Sequence, residues 1–369
     1  MSKEEGDNGR GTILGLSVAN AVEQVVARDD SRDPETVRTT LETVAEDGEL
    51  TRDGIDSALG HASKVVSTPE TRAELAEMAL SEARERAAPV ADLGVVRSRL
   101  DAFEARLAAV QDRTTTLGED LQTVLGRAED LESADSETSA DDHGNSADTP
   151  ATADAPDTEA VYALARDLRE LTDRANDVQL AADELQMDLE DFERWVGSPD
   201  LRNDELGDDV DAFAGSLNEL SAAIGNLETL TDEGADTDDG AEAVGEDVSA
   251  RELATTWADA ALRVRLHDLL LEDLRAELED LRTWADREDL DEDDRPAGIE
   301  ARLDDLDGQL AGLEDRLDDL ARAEWREQYD EHLTGFEEAL ADVEPPVQWG
   351  VVQAELEEHR SAIGVDDPT

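Results

Sequence analysis

Apolar residues in this chain recur at alternating steps of three and four, over stretches longer than an ordinary globular helix. From residue 93 the series runs Leu93, Val96, Leu100, Phe103, Leu107, Val110, Thr114, Leu117, Leu121, Val124, Ala128 and Leu131, with Thr114 its one polar member. That spacing puts every member on one narrow stripe of an α-helix about 58 Å long at 1.5 Å per residue. A stripe this narrow is buried by a facing helix, and its period is not that of a strand, whose faces alternate every second residue. A second series runs from Val161 through Leu171, Val178, Leu185 and Phe192 to Val196, and a third from Leu253 through Val264, Leu271 and Leu278 to Ala285.

Composition agrees with seams rather than with one large core. Of the 369 residues 38% are hydrophobic, 3% aromatic and 35% charged, apolar content below the globular norm and charge above it. The sequence holds 98 acidic and 32 basic residues, a net charge of −66, and its only lysines are Lys3 and Lys64. In dilute buffer that charge pushes the chain apart. In molar salt the Debye length falls to roughly 3 Å and the repulsion is screened. Acid spread along the whole chain therefore reads as adaptation to a salt-filled cytoplasm. There is no cysteine, which excludes disulfides, thiolate zinc sites and thiol nucleophiles. No apolar run approaches the ~20 residues of a membrane span, and the acidic start (Glu4, Glu5, Asp7) is unlike a secretory signal. A soluble cytoplasmic protein is expected.

The pattern predicts an all-α fold in seven parts. Residues 1–92 read as an N-terminal helical bundle. Its first helix carries Leu14, Val18, Val22 and Val25, and its second starts at Asp33-Pro34-Glu35, where a cap, a first-turn proline and an acid coincide. After a turn at Asp47-Gly48 come a third helix with Ile55, Leu59, Ala62 and Val66 inward, and a fourth from Thr68-Pro69-Glu70 with Leu75, Met78 and Ala79 inward. Pro89 ends or kinks that helix. Residues 93–131 form the long coiled-coil helix. Residues 132–157 and 231–249, without a heptad seam and rich in acid, read as disordered linkers. Residues 158–230 and 250–343 read as helical hairpins: Gly197-Ser198-Pro199 closes the first arm of one, and Ser249-x-x-Glu252 caps the start of the other. Residues 344–369 hold a short helix after Pro345-Pro346, and a tail. Leucine at a with valine or leucine at d departs from the parallel-dimer pattern, which favours antiparallel packing. The seam of 93–131 needs a partner surface, so a homo-oligomer is expected.

The two hairpins share a register. Leu164 and Leu253, Leu185 and Leu274, Trp195 and Trp284, Val210 and Ile299, and Leu217 and Leu306 are each 89 residues apart. The strongest local match sets ELQMDLEDFERW (184–195) against DLRAELEDLRTW (273–284). We read this as an internal duplication.

Candidate chemistry is sparse. His61, His143, His267, His332 and His359 are scattered, without the spacing of a helical zinc or di-iron site. His267 falls on a seam position. Asp289, Asp291, Asp293 and Glu300 occupy positions 1, 3, 5 and 12 of an EF-hand-like loop, but Asp294 stands where the turn needs glycine and Pro296 where the loop needs an apolar residue. Gly15-Leu16-Ser17-Val18-Ala19 lacks the last glycine of a nucleophile elbow. Paired carboxylates occur everywhere, so pairing carries no information about acid–base catalysis. Phosphate contacts need a basic surface; residues 1–92 hold 10 basic against 20 acidic residues, and a helix-turn-helix around Thr51–Val66 is the one place for DNA binding. No catalytic residue, metal ligand or cofactor is assigned.

The stretch ETVRTTLETVAEDGELTRDGIDSALGHASKVVSTPETRAELAEMALSEARERAAPVADLGVVRSRLDAF, and residues 35–131 generally, resembles the acidic coiled-coil proteins of haloarchaea that go by the name halo transducer protein. The resemblance implies a link to chemotaxis-type signalling. This chain departs from membrane transducers in having neither transmembrane helices nor a signalling-tip sequence. The function expected is a non-enzymatic coiled-coil scaffold or protein-interaction protein of a halophilic cytoplasm. The alternatives are a soluble transducer-like signalling adaptor, or a DNA-associated factor using the N-terminal bundle. Neither a membrane nor nucleic acid is expected as a partner on the leading reading. The charge argument has a direct test: helicity by circular dichroism collapses in low-salt buffer and returns in molar potassium chloride. Full helicity in dilute buffer contradicts it.

Overall fold

The computed structural model describes residues 16–140, 158–235, 246–291 and 295–365. The fold is all-α: ten helices account for nearly all of the described chain. The chain forms two compact units, Met1–Ala83 with Ala102–Asp191, and Arg84–Asp101 with Phe192–Thr369. None of the described helices is long and apolar enough to cross a membrane.

The first unit opens with β1 (Leu16–Ser17), α1 (Val18–Arg28), α2 (Pro34–Glu42), β2 (Ala45–Glu46) and β3 (Glu49–Leu50). The expected caps are in place. Ser17 Oγ accepts from Asn20 N, and Asp33 Oδ2 accepts from Thr36 N at 2.8 Å with Pro34 at the first helical position. Asp47-Gly48 is more than an interhelical turn. Both residues have positive φ, 51° and 82°, as a two-residue hairpin turn requires, and they join β2 to β3 in a small antiparallel sheet of order β1-β3-β2. Strands of two residues carry no readable period, which is why the sequence showed none.

Residues 1–92 do not form a bundle of their own. Val18, Val22, Val25, Val37, Leu41, Val44, Leu50 and Ile55 share one core with Val124 and Ala128 of α4 (Gly94–Ala140) and with Val161, Leu164 and Leu168 of α5 (Thr158–Val196). Polar contacts reinforce that packing. Arg32 pairs with Glu159 at 2.8 Å, and Thr158 Oγ1 hydrogen-bonds Gln24 Oε1 at 2.7 Å.

The third and fourth helices expected before Pro89 are one, α3 (Arg52–Ala87), with Pro69 inside it. A short 3-10 turn with Pro89 at its second position follows at Ala88–Val90. The buried stripe of α3 is Ala62, Val66, Pro69, Ala73, Ala76, Leu80, Ala83 and Ala87, an uninterrupted 3-4 series through the proline. Leu75, Met78 and Ala79, expected inward, sit off that stripe, with Met78 55% exposed. Alanine gives a weak sequence signal, yet it lets neighbouring helices approach closely.

Val66 and Ala73 of α3 pack with Val110 and Leu117 of α4 and with Leu171, Ala175, Val178 and Ala182 of α5. Ion pairs flank these contacts at Arg106–Asp188, Arg174–Asp120, Arg127–Asp167 and Arg72–Asp183. The seam of 93–131 thus finds apolar partners within its own chain. Helix α4 also runs on to Ala140, nine residues into the segment expected as linker, because extending an existing helix is far easier than nucleating one. The rest of that segment, 141–157, lies outside the described residues, as do 236–245 of the second expected linker.

In the second unit α6 (Pro199–Ala235) starts directly after Gly197-Ser198, with Pro199 of the expected stop as its first residue. Helix α7 (Glu246–Arg287) starts before Ser249, so the expected capping box falls inside it. Helices α6, α7 and α8 (Ile299–Leu320) pack on one another, burying Val210, Leu217 and Ile224, Leu271 and Leu278, and Ile299, Leu306 and Leu313. The last expected hairpin arm breaks into α8 and α9 (Ala323–Leu340), with Ala321 and Arg322 extended between them. The break falls where the 3-4 seam lapses: after Leu317 the next buried residue is Trp325, eight positions on. Trp257 Nε1 donates to the buried helix-end carbonyl of Leu317 at 3.0 Å. Helix α10 (Trp349–Ile363) packs on α9 and α7. The segment 158–230 is therefore not a hairpin with a core of its own: α5 up to Asp191 belongs to the first unit and α6 to the second.

The alanine stripe is testable. Ala76→Leu overpacks a position with no free surface and costs about 1–3 kcal/mol in denaturant unfolding. Met78→Ala changes stability by less than about 0.5 kcal/mol.

Candidate functional site

The second unit contains a cleft of about 770 Å³ built from the start of α4, the middle of α6 and α7, and the segment 345–349. Three acids on α7, Asp273, Glu277 and Asp280, face it at steps of four and three. Two of them organise the backbone around it. Asp280 Oδ2 accepts from Val95 N at 2.8 Å, capping the first turn of α4. Asp273 accepts from Val347 N at 3.0 Å and from Trp349 Nε1 at 2.9 Å. Gly94 is required by this closeness: a Cβ there would lie 2.9 Å from Asp280 Oδ2 and 3.2 Å from Pro346 Cδ.

Glu277 is the third. Burial pushes its carboxyl up to about 7; Arg99 opposes the shift, while the charges of Asp209, Glu205 and Asp273 add to it. Arg99 reaches Glu205 at 3.1 Å but Glu277 only at 3.9 Å, so one guanidinium serves several carboxylates. The cleft therefore holds a carboxyl that gains and loses its proton near neutral pH. Helix α7 also lines a second cleft of about 700 Å³ with α8 and α9, where Trp257, Val264 and Leu333 meet Asp268, Glu314 and Asp330.

Arg99 also stacks on Trp195, 4.1 Å from its ring centre. Trp195 meets Trp284, its partner at the 89-residue offset, edge to face at 5.3 Å. Trp284 carries its own guanidinium, that of Arg202, 4.0 Å from its ring. Arg202 is only 3% exposed; it donates to Val196 O at 2.7 Å and to Glu288 at 2.6 Å. The two indoles differ in one respect. Trp284 Nε1 donates to Glu288, four residues on, at 2.8 Å, whereas Trp195 Nε1 is buried without a partner. The residue four positions after Trp195 is Pro199, which has no side-chain acceptor.

His267 is buried, as its seam position predicted. Its Nδ1 lies 2.6 Å from the carbonyl of Arg263, which can only accept, so Nδ1 carries the proton. Burial lowers the pKa of the ring and so favours its neutral form, in which Nε2 accepts from Ser216 Oγ at 3.0 Å. The Ser216 hydroxyl has a second acceptor, Phe213 O at 2.8 Å. Ser216 borders the acidic cleft, so the pair has the form of a nucleophile and its base. Both residues sit in mid-helix, however, where backbone N–H groups of α6 and α7 are engaged within the helices and offer no oxyanion pocket.

The other sequence candidates are dispersed. Asp289, in the left-handed region with φ 53°, ends α7, and Glu300 pairs with Arg282 at 2.8 Å. Asp293 and Asp294 lie outside the described residues, and no group of three or more histidine or acidic side chains among the described residues could hold a metal ion. Gly15 and His143 also lie outside them; Ser17 is committed to capping α1. Around Thr51–Val66, α2 and α3 are joined by the β-hairpin instead of the short turn of a helix-turn-helix. Sequence reasoning missed Arg99, Glu205 and Glu277. The acidic stripe 273/277/280 was visible as a helical period, but among 98 acids it did not stand out.

An acid whose folded pKa lies above its unfolded one binds its proton more tightly when folded. Glu277 therefore makes stability fall as pH rises from its ordinary 4.5 to about 7. Glu277→Gln removes that loss: at about pH 8 the variant is more stable, by at most about 3 kcal/mol, and below about pH 4.5 the difference vanishes. Denaturant midpoints at the two pH values in one salt check this. Compared with family models, with curated proteins and with solved structures, the chain finds no match in any of the three.

Proposed function

We propose that this chain is a non-enzymatic scaffold of a salt-rich cytoplasm that presents long helices, paired as antiparallel coiled coils, to a protein partner. The order of the ion pairs supports the antiparallel arrangement. Along α4 from Arg106 to Asp120 and Arg127, the partners on α5 step back from Asp188 to Arg174 and Asp167. The acid-rich surface, carrying a net charge of −66, supports the salt-rich setting.

One observation carries the interaction reading. Leu180 and Met187 lie one heptad apart on the face of α5 opposite its seam, 58% and 56% exposed, and Met78 occupies the corresponding outer position on α3. The seams do not use these side chains, and large apolar groups on an otherwise acidic surface are what a partner protein buries. The test is crosslinking and pull-down in molar potassium chloride, with the full chain and with a Met78→Glu, Leu180→Glu, Met187→Glu variant as baits. A specific partner captured by the full chain and lost by the variant, at unchanged helicity, is the expected result. Equal capture by both, or none by either, overturns the reading. A captured kinase of a receptor-coupled system identifies the scaffold as a transducer-like signalling adaptor.

A further inference from the structure

Two of the histidines that are scattered in the sequence meet in the second unit. His332 on α9 and His359 on α10 have ring centres 6.2 Å apart with planes at 75°. His359 also packs edge-on against Phe336, at 5.6 Å. Gly335 makes room for it: a Cβ there would lie 3.1 Å from Cε1 of His359 and 3.8 Å from Nε2. Glycine is disfavoured inside a helix, and here it seats the edge of an imidazole. Both histidines are only half-buried, so water and ions reach them.

We propose that His332 and His359 form a two-imidazole site for a borderline divalent transition cation of the Zn²⁺, Ni²⁺ or Cu²⁺ class, with water completing the coordination. Metal–imidazole bonds of about 2.0–2.1 Å put two rings on one ion with centres roughly 5–6.5 Å apart, as the N–metal–N angle opens from tetrahedral to linear. The observed 6.2 Å lies near the linear end of that span, with the two rings on opposite sides of the ion. Ligand type supplies selectivity. The surface carboxylates suit hard cations such as Mg²⁺, whereas imidazole nitrogen favours the borderline ions. The site is therefore selective in a medium crowded with hard cations. Bound metal ties α10 to α9.

The test is calorimetric titration of Ni²⁺ into the full chain in molar potassium chloride with millimolar Mg²⁺. One saturable site is expected at about pH 7.5. His332→Gln and His359→Gln each weaken it at least about tenfold, whereas His61→Gln leaves it unchanged. A second measurement uses only the unsubstituted protein: copper-catalysed oxidation mapped by mass spectrometry marks His332 and His359 ahead of His61. Ni²⁺ binding that survives both substitutions, absence of a saturable site, or oxidation spread evenly over the histidines overturns the proposal.

Discussion

Every long element of this protein depends on burying a line of side chains one residue wide between rods that repel each other. The apolar lines are filled efficiently: Leu185, Leu189, Leu217 and Leu220 have essentially no free surface. Each such leucine contributes about 1.5–3 kcal/mol of burial, while each exposed ion pair beside it contributes at most about 1 kcal/mol. The attraction is therefore apolar. The arginines serve mainly to lower the charge next to the seams, as at Arg174–Asp120 and Arg106–Asp188. Having almost no lysine suits that role, since a guanidinium forks onto carboxylates and stacks on rings in ways an ammonium does not.

The second unit gathers the protein's less ordinary chemistry. Two tryptophans from equivalent places in the repeated pattern touch each other, each under an arginine, and the carboxyls of α7 gather around Arg99. The pairing shows how two similar segments come to differ. Glu288 satisfies the indole of Trp284, and Pro199, at the equivalent place, leaves that of Trp195 without an acceptor. The proline instead occupies the first position of α6. The end of α5 thus lacks the side-chain hydrogen bond that Glu288 supplies at the end of α7.

Where the sequence could be read and where it could not follows from what carries information along a chain. Leucine and valine at steps of three and four identify a helix and its inward face, so Val96 to Ala128 and Leu164 to Val196 were legible residue by residue. The caps at Asp33-Pro34 and the stop at Gly197-Ser198 were legible because backbone needs are local. Pro69 misled, because a proline inside α3 looks like a helix start, and the alanines around it looked neutral although they form the stripe. The cleft was illegible: Arg99, Glu205 and Glu277 stand far apart in sequence, and no acid among 98 advertises its burial.

By itself, then, the sequence determined that the chain is helical, which faces are apolar, and that the surface is anionic, because these are properties of spacing and composition. Only the tertiary structure decided which seam faces which. It gave α5 and α6 to different units, joined the N-terminal helices to the core of α4 and α5, and brought His332 to His359. The physical reason is that one leucine stripe resembles another. A heptad specifies that a partner is needed, and helix ends, small residues and the packing of whole faces select which partner it is.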